Sequence, residues 1–361
     1  MSLDVDKANL RRRCFDIESG VSWAAILYRR ATRCQQGDAS IVIRTGRFDC
    51  VAIGDVMFDV YVGNFTNPIH FLKGGTSYCD FAKIDFGGAG NVASGISLLG
   101  GKTAFIGKAG NDCWGRLYEE NLKTKGVTTK IFYEDGFFTG LTLIELEGDG
   151  ERSFCVFRGA NDTLSEHDVD KSNDLIRRSE YLYFSGYSFV NEPQRTAIFK
   201  AAKTAKEHKT KIAFDPGAHN LIRSEPRLFA KALDLCDVFL PNLDEASEIT
   251  RTTSKDDIIS ALNNKTPLTA MKCGKDGCIL INKKRVVTVP GFNVKCVDST
   301  GAGDAFASAL IFGLANNFPL KNVGQLANWF ASQVTARIGA RNFPSKTETR
   351  SFLKKLKNAE K

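Results

Sequence analysis

Val297-Asp298-Ser299-Thr300-Gly301-Ala302-Gly303-Asp304 stands directly before an apolar run, residues 305–315. Two glycines flank Ala302 just ahead of a predicted helix. Such a loop aims several backbone N–H groups at one point, and the helix N-terminus behind it adds partial positive charge, so the point is an anion site. Asp304 falls in the first helical turn. A carboxylate there can cap the helix, a contribution of about 1 kcal/mol. It can also act as a base beside a bound phosphate, since phosphoryl transfer needs a positioned hydroxyl, a proton acceptor and charge stabilisation on the transferred group. Gly-Ala-Gly is weak as a signal; Asp-x-Thr-Gly-Ala-Gly-Asp before a helix is specific.

Upstream, Asp85-Phe86-Gly87-Gly88-Ala89-Gly90-Asn91 opens another predicted helix. Its glycines let a ligand approach the backbone closely, and Asn91 both donates and accepts toward hydroxyls. Without a ligand the same stretch is a tight strand-to-helix turn. Gly100-Gly101-Lys102-Thr103 looks like the end of a P-loop, but that motif needs a glycine five residues before the Gly-Lys pair. Position 96 is Ile and Gly95 comes one residue too early. No GxGxxG follows a predicted strand, so a nicotinamide-binding fold has little support.

Around these motifs, strands predicted at 50–54, 103–107, 181–184, 211–214 and 237–240 alternate with helices predicted at 91–99, 114–125, 193–208, 244–250 and 255–263. That alternation is the mark of an α/β fold with a mainly parallel sheet. Two segments break it. Residues 60–84 are strand-like, punctuated by Gly63, Gly74 and Gly75. Residues 141–157, LTLIELEGDGERSFCVF, alternate around Asp149-Gly150, a hairpin signal. Strands paired without helices predict a small separate sheet, a lid built from about 60–84 and 130–158.

The net charge of +8 is carried by the ends, with +4 in residues 1–48, +4 in 345–361 and a neutral stretch between. A nucleic-acid binder carries its basic stripe on the folded body, so nucleic acid is discounted. No apolar run reaches the ~18–20 residues of a membrane helix. The ten cysteines form no CxxC, and no apolar leader precedes them. Reduced thiols in a cytoplasmic compartment are expected rather than disulfides or zinc. Residues 1–48 read as a flexible or peripheral extension. They are Arg-rich, as organelle transit peptides are, but Asp4, Asp6, Asp16 and Glu18 run against that reading. Residues 49–346 read as the folded body and 347–361 as a basic helix or tail.

With both glycine motifs in place, the chain resembles the PfkB (ribokinase-like) carbohydrate kinases over about residues 48–346. Gly87–Asn91 with Gly107-Lys108-Ala109-Gly110-Asn111-Asp112 resembles the first family signature, and Val297–Asp304 the second. The resemblance implies a ribokinase-like three-layer α/β/α sandwich with a small β-sheet lid. It implies ATP and Mg²⁺, a small-molecule substrate and no membrane.

Residue by residue, the resemblance matches Asp304 to the catalytic base and Gly301, Ala302 and Gly303 to the anion hole. Asn242 and Glu245 match an Asn-x-x-Glu motif that organises Mg²⁺ and phosphate through water; read locally, Asn242 is an N-cap. Gly274 and Gly277 match the nucleotide-side turn, with Lys272 where the family usually has Thr. Asp59, Gly87, Gly88 and Asn91 match substrate contacts, and Asn161, in Arg158-Gly159-Ala160-Asn161, closes the pocket after the lid. Met57 stands where ribokinases usually have Asn. Asp298 and Thr300 match part of a monovalent-cation (K⁺) site that Arg337 and Gly339 would complete. Three readings remain open: a sugar kinase first, a nucleoside kinase on the same fold second, and a non-catalytic binding or assembly member third. Exposed lid strands would allow a homodimer through the lid, and a monomer fits equally.

Overall fold

The computed structural model describes residues 47–65, 76, 78–146, 152–217, 219–263 and 265–358. Almost all of the extension 1–48, much of the first lid segment and the Asp149-Gly150 turn lie outside the described residues.

The strands are β1 (Phe48–Ile53), β2 (Met57–Phe65), β3 (Cys79–Gly87), β4 (Thr103–Gly110), β5 (Thr128–Glu134), β6 (Gly140–Leu146), β7 (Arg152–Phe157), β8 (Ser179–Ser185), β9 (Lys211–Asp215), β10 (Val238–Phe239), β11 (Leu268–Lys272), β12 (Cys278–Asn282) and β13 (Arg285–Val289). Helices used below are α1 (Gly90–Leu98), α2 (Cys113–Thr124), α3 (Gln194–Glu207), α4 (Leu243–Thr250), α5 (Ala302–Ala315), α6 (Leu320–Val334) and α7 (Lys346–Asn358).

The large sheet runs β13-β12-β11-β10-β9-β8-β1-β4-β5. From β11 to β5 every neighbouring pair is parallel; β12 and β13 return antiparallel. A parallel sheet is covered on both faces, so its strands are apolar without alternation. Residues 50–53 of β1, CVAI, are all fully buried. Cys50 and Ala52 join the core beneath α1, α5 and α6, with Val92, Ile96, Leu310 and Phe330. Val51 and Ile53 join the opposite core beneath α3, with Ile198, Ala201, Phe214 and Phe229. These two cores make the three α/β/α layers. Helix α5 is apolar nearly all round and buried over most of its length, as a helix lodged between a sheet and α6 must be.

The small sheet runs β3-β2-β6-β7, with β2 and β6 parallel and both outer pairs antiparallel. Residues 130–134 of the expected second lid segment belong instead to β5, an edge strand of the large sheet. The basic C-terminal segment is helical in α7. Every cysteine among the described residues is free. No helix among the described residues is long and apolar enough to cross a membrane.

Phe214 is fully buried and touches the rings of Phe184, Phe189, Phe229 and Phe239. Phe214→Ala is expected to cost about 3–5 kcal/mol. Urea unfolding would show it as a lower midpoint with an unchanged slope.

Candidate active site

Gly301 enters α5 at φ 77°, in the left-handed region. A Cβ there would run into the Ala340 backbone, so the turn requires glycine. Gly303 faces open space; the nearest atom to a Cβ would be Lys272 Nζ at 3.7 Å. The N–H groups in the first turn of an α-helix have no intrahelical acceptor, so the loop presents donors to an anion beside that ammonium.

Asp304 does not cap α5. Gly301 is the N-cap residue and supplies no side-chain cap, which makes Asp304 the third residue of the helix. Its Oδ2 accepts instead from Asn91 Nδ2 at 2.9 Å. Burial pushes the carboxyl up to about 6, and the Asn91 hydrogen bond pulls the other way. Asp215 adds to the rise, while Lys272 and Arg341 oppose it.

Strands β9 and β11 end on Asp215 and Lys272, joined by a 2.7 Å ion pair. Burial pulls Lys272 down, but Asp215 and Glu245 outweigh it and hold the ammonium above its ordinary value. Asn242 does cap α4. Its Oδ1 accepts from Glu245 N at 2.7 Å, and Glu245 Oε2 accepts from Asn242 N at 2.8 Å. Burial raises the Glu245 carboxyl against the pull of Lys272. Among the described residues no three side chains converge as a bare-metal site. A buried carboxylate beside a lysine fits Mg²⁺ that keeps waters and phosphate oxygens.

The inner face of the small sheet covers this edge. Asp59 in β2 pairs across to Asp85 and Thr142, and all three are buried. Burial and then the Asp85 charge push Asp59 up to about 7, against Arg341 and the Thr142 hydrogen bond. Gly87 lies against the Asp59 carboxylate; a Cβ would come within 2.6 Å of Oδ1. Gly88, at φ 74°, leaves no room for a Cβ against the Asp55 carbonyl. Tyr61, two residues on, is fully buried on the same face.

Other expected residues are placed differently. Asn161 spends its amide on the backbone: Oδ1 accepts from Val56 N at 2.7 Å, and Nδ2 donates to Val56 and Arg158 carbonyls. It staples the root of the small sheet next to Met57. Gly277, at φ 95°, sits tight against Val289, whereas Gly274, at φ 57°, faces open space in the turn after Lys272. Asp298 ties its own loop to the segment after α6, accepting from Thr300 N and Gly339 N at 2.8 Å each. Arg337 is exposed. The Lys83 ammonium from β3 reaches the Ile338 carbonyl beside that loop. This donor set, spent on amides and met by a lysine, does not fit a potassium ion, and no step is assigned to one. Lys83 and Arg341 belong to no local motif, and Asp85, though it opens the Gly87–Asn91 stretch, meets them only through the chain's folding.

A buried carboxylate at Asp304, the glycine turn at Gly301, the Asp215–Lys272 ion pair and the buried Asp59 of the small sheet thus gather at one sheet edge. The family model for pfkB family carbohydrate kinases matches residues 47–348, and the chain belongs to that family. It is therefore a carbohydrate kinase, a phosphotransferase with an alcohol acceptor. A protein named probable fructokinase-5 from Arabidopsis thaliana is 32% identical over 66% of this chain and 75% of its own. A fructokinase-2 from Solanum habrochaites is 32% identical over 76% of this chain and 88% of its own. Among solved structures, an adenosine kinase from Sinorhizobium meliloti superposes with TM-score 0.77 at 26% identity, over 84% of this chain and 99% of that one. A putative ribokinase II from E. coli, solved with ATP and Mg²⁺, gives TM-score 0.74 at 21% identity over 85% and 99%, a likeness of fold.

Asp59 holds its proton to about pH 7 in the folded protein but only to about pH 4 in an unfolded chain. The folded state binds the extra proton in that window, so stability falls as pH rises through it. Asp59→Asn removes the loss. Its Tm should match the parent near pH 4 and exceed it by about 2–4 °C at pH 8, read by thermal unfolding at both values.

Proposed function

We propose that the protein transfers the γ-phosphoryl group of ATP to a hydroxyl of a sugar, with Asp304 as general base. The observation that carries this is the Asp304 carboxyl itself, pushed by burial to about 6 and set beside the open Gly301–Gly303 loop. A base of that strength is ionised at neutral pH yet still accepts a proton. Asp304 takes the proton from the attacking hydroxyl, the oxygen bonds to the γ-phosphorus, and the bond to the bridging oxygen of ADP breaks. The loop amides and the Lys272 ammonium meet the charge on the transferring group. Glu245 and Asn242 would hold Mg²⁺ through water, and the ion would supply further charge neutralisation. Asp59, Asn91 and the backbone at Gly87 and Gly88 hold the sugar hydroxyls. Closing the small sheet over them excludes water, so ATP is not hydrolysed. Gly274 and Gly277 shape the nucleotide side.

The kinase unit is assigned to residues 49–346, between the extension 1–48 and the basic segment 347–361. The relatives' names make fructose the first substrate to try, and the adenosine kinase neighbour makes nucleosides the second. ATP consumption against ketoses, aldoses, sugar acids and nucleosides separates the two. Asp304→Asn should fold normally and lose about 10²–10⁴-fold in kcat. In the parent, kcat should fall as pH drops through about 6. Near-normal turnover by the asparagine variant sinks the base assignment.

The outer face of the small sheet supports a homodimer. Val60, Ile84, Leu143 and Cys155 lie in cross-strand register, with Phe157 beside them. Ile84 is 54% exposed and Phe157 52%. Ile84→Lys is expected to turn a sedimenting dimer into a monomer. A parent that sediments as a monomer ends that reading.

A further inference from the structure

We propose that Arg341 is a positioning residue for the reaction, fixing the orientation of the Asn91 amide and through it the reactive oxygen of Asp304. The proposal rests on the reading of Asp304 as base.

Arg341 lies in the loop between α6 and α7 and is 9% exposed. Its Nε donates to Asn91 Oδ1, its Nη1 to Asn121 Oδ1 at 2.7 Å, and its Nη2 to the Tyr118 hydroxyl at 3.3 Å. The guanidinium also lies over the rings of Phe86 and Tyr118, 5.0 and 5.2 Å from their centroids. Three directed bonds and two ring faces leave it one orientation. Among the described residues no carboxylate is within ion-pair distance of it. An arginine buried among neutral partners is costly, and its charge is left to act on the carboxylates nearby.

A guanidinium only donates, while an asparagine amide has one accepting and one donating end. Because Arg341 takes the oxygen of Asn91, the NH₂ must face the other way. There it donates to Asp304 Oδ2 at 2.9 Å. A flipped amide would set oxygen against carboxylate. The relay therefore commits Oδ2 to Asn91 and leaves Oδ1 to take the substrate proton. Around Asp304 stand Asn91 from α1, Lys272 from β11, Asp215 from β9 and Arg341 itself; Asp59 faces it from the lid, with Asp85 beside Asp59. Loss of the Arg341 charge favours protonation of both Asp304 and Asp59.

The test compares Arg341→Met and Arg341→Lys with the parent, reading kcat, KM and the acid limb of log kcat against pH. Arg341→Met should lose about tenfold or more in kcat, the scale of a misplaced reacting group. Its acid limb should move to higher pH, a shift that a merely less stable protein would not show. Arg341→Lys keeps the charge without the fork. It should hold the limb near the parent's and still lose kcat with less change in KM. If Arg341→Met does not fold, the lysine variant carries the test. Parent-like kcat and limb in the folded variant, with Asp304→Asn inactive, overturn the positioning role and leave the base reading intact. An active Asp304→Asn overturns both.

Discussion

Parallel pairing is the constraint from which the site follows. Seven strands, from β5 to β11 across the large sheet, run in one direction, so all end at the same edge. Each must then turn into a crossover helix or loop there, and ligand sites form outside that edge in open α/β sheets. Asp55 follows β1, Asp215 closes β9, Asn242 follows β10 and Lys272 closes β11. Residues far apart in sequence share one rim because their strands are in register. The bridge between Asn242 and Lys272 marks that register at the rim itself.

Onto this edge the two glycine-led helices deliver their first turns together. Gly95 of α1 lies against Ser308 of α5, and a Cβ at Gly95 would overlap that hydroxyl. Ser308 also donates to the Val92 carbonyl at 3.1 Å. One helical turn earlier on each helix stand Asn91 and Asp304. Close approach at the small pair thus sets the hydrogen bond at the polar pair. The tight packing that buries α5 also desolvates its carboxylate, so the same contacts hold the residue and tune it.

The small sheet buries polar and apolar residues on one face. Asp59, Asp85 and Thr142 lie there beside Tyr61 and Ile144, while the outer face carries exposed Ile84 and Phe157. Two carboxylates in cross-strand register then share a dry space, which is why Asp59 keeps its proton near neutrality. Arg341 offsets part of that repulsion from behind.

The sequence alone determined the fold class, the presence of a helix behind each glycine motif, and the grouping of Gly301, Gly303 and Asp304, because each depends on neighbours within one turn or on strand-scale apolar runs. Glycine at position 301 is legible as a turn residue, since only it accepts φ 77° there. Tertiary structure decided what the same residues touch. Asp304 could be read as a cap until Gly301 was seen to hold the N-cap position of α5. Asn161 reads as a substrate contact in its motif, yet its amide goes to the backbone of Val56, 105 residues away. Residues 130–134 read as lid but pair with β4. Arg341 reaches Asn91 across 250 residues, and Lys83 reaches Ile338 across 255. Long side chains that act through such distant partners leave no periodicity or spacing behind, since their positions are set by sheet register and helix packing rather than by the residues beside them.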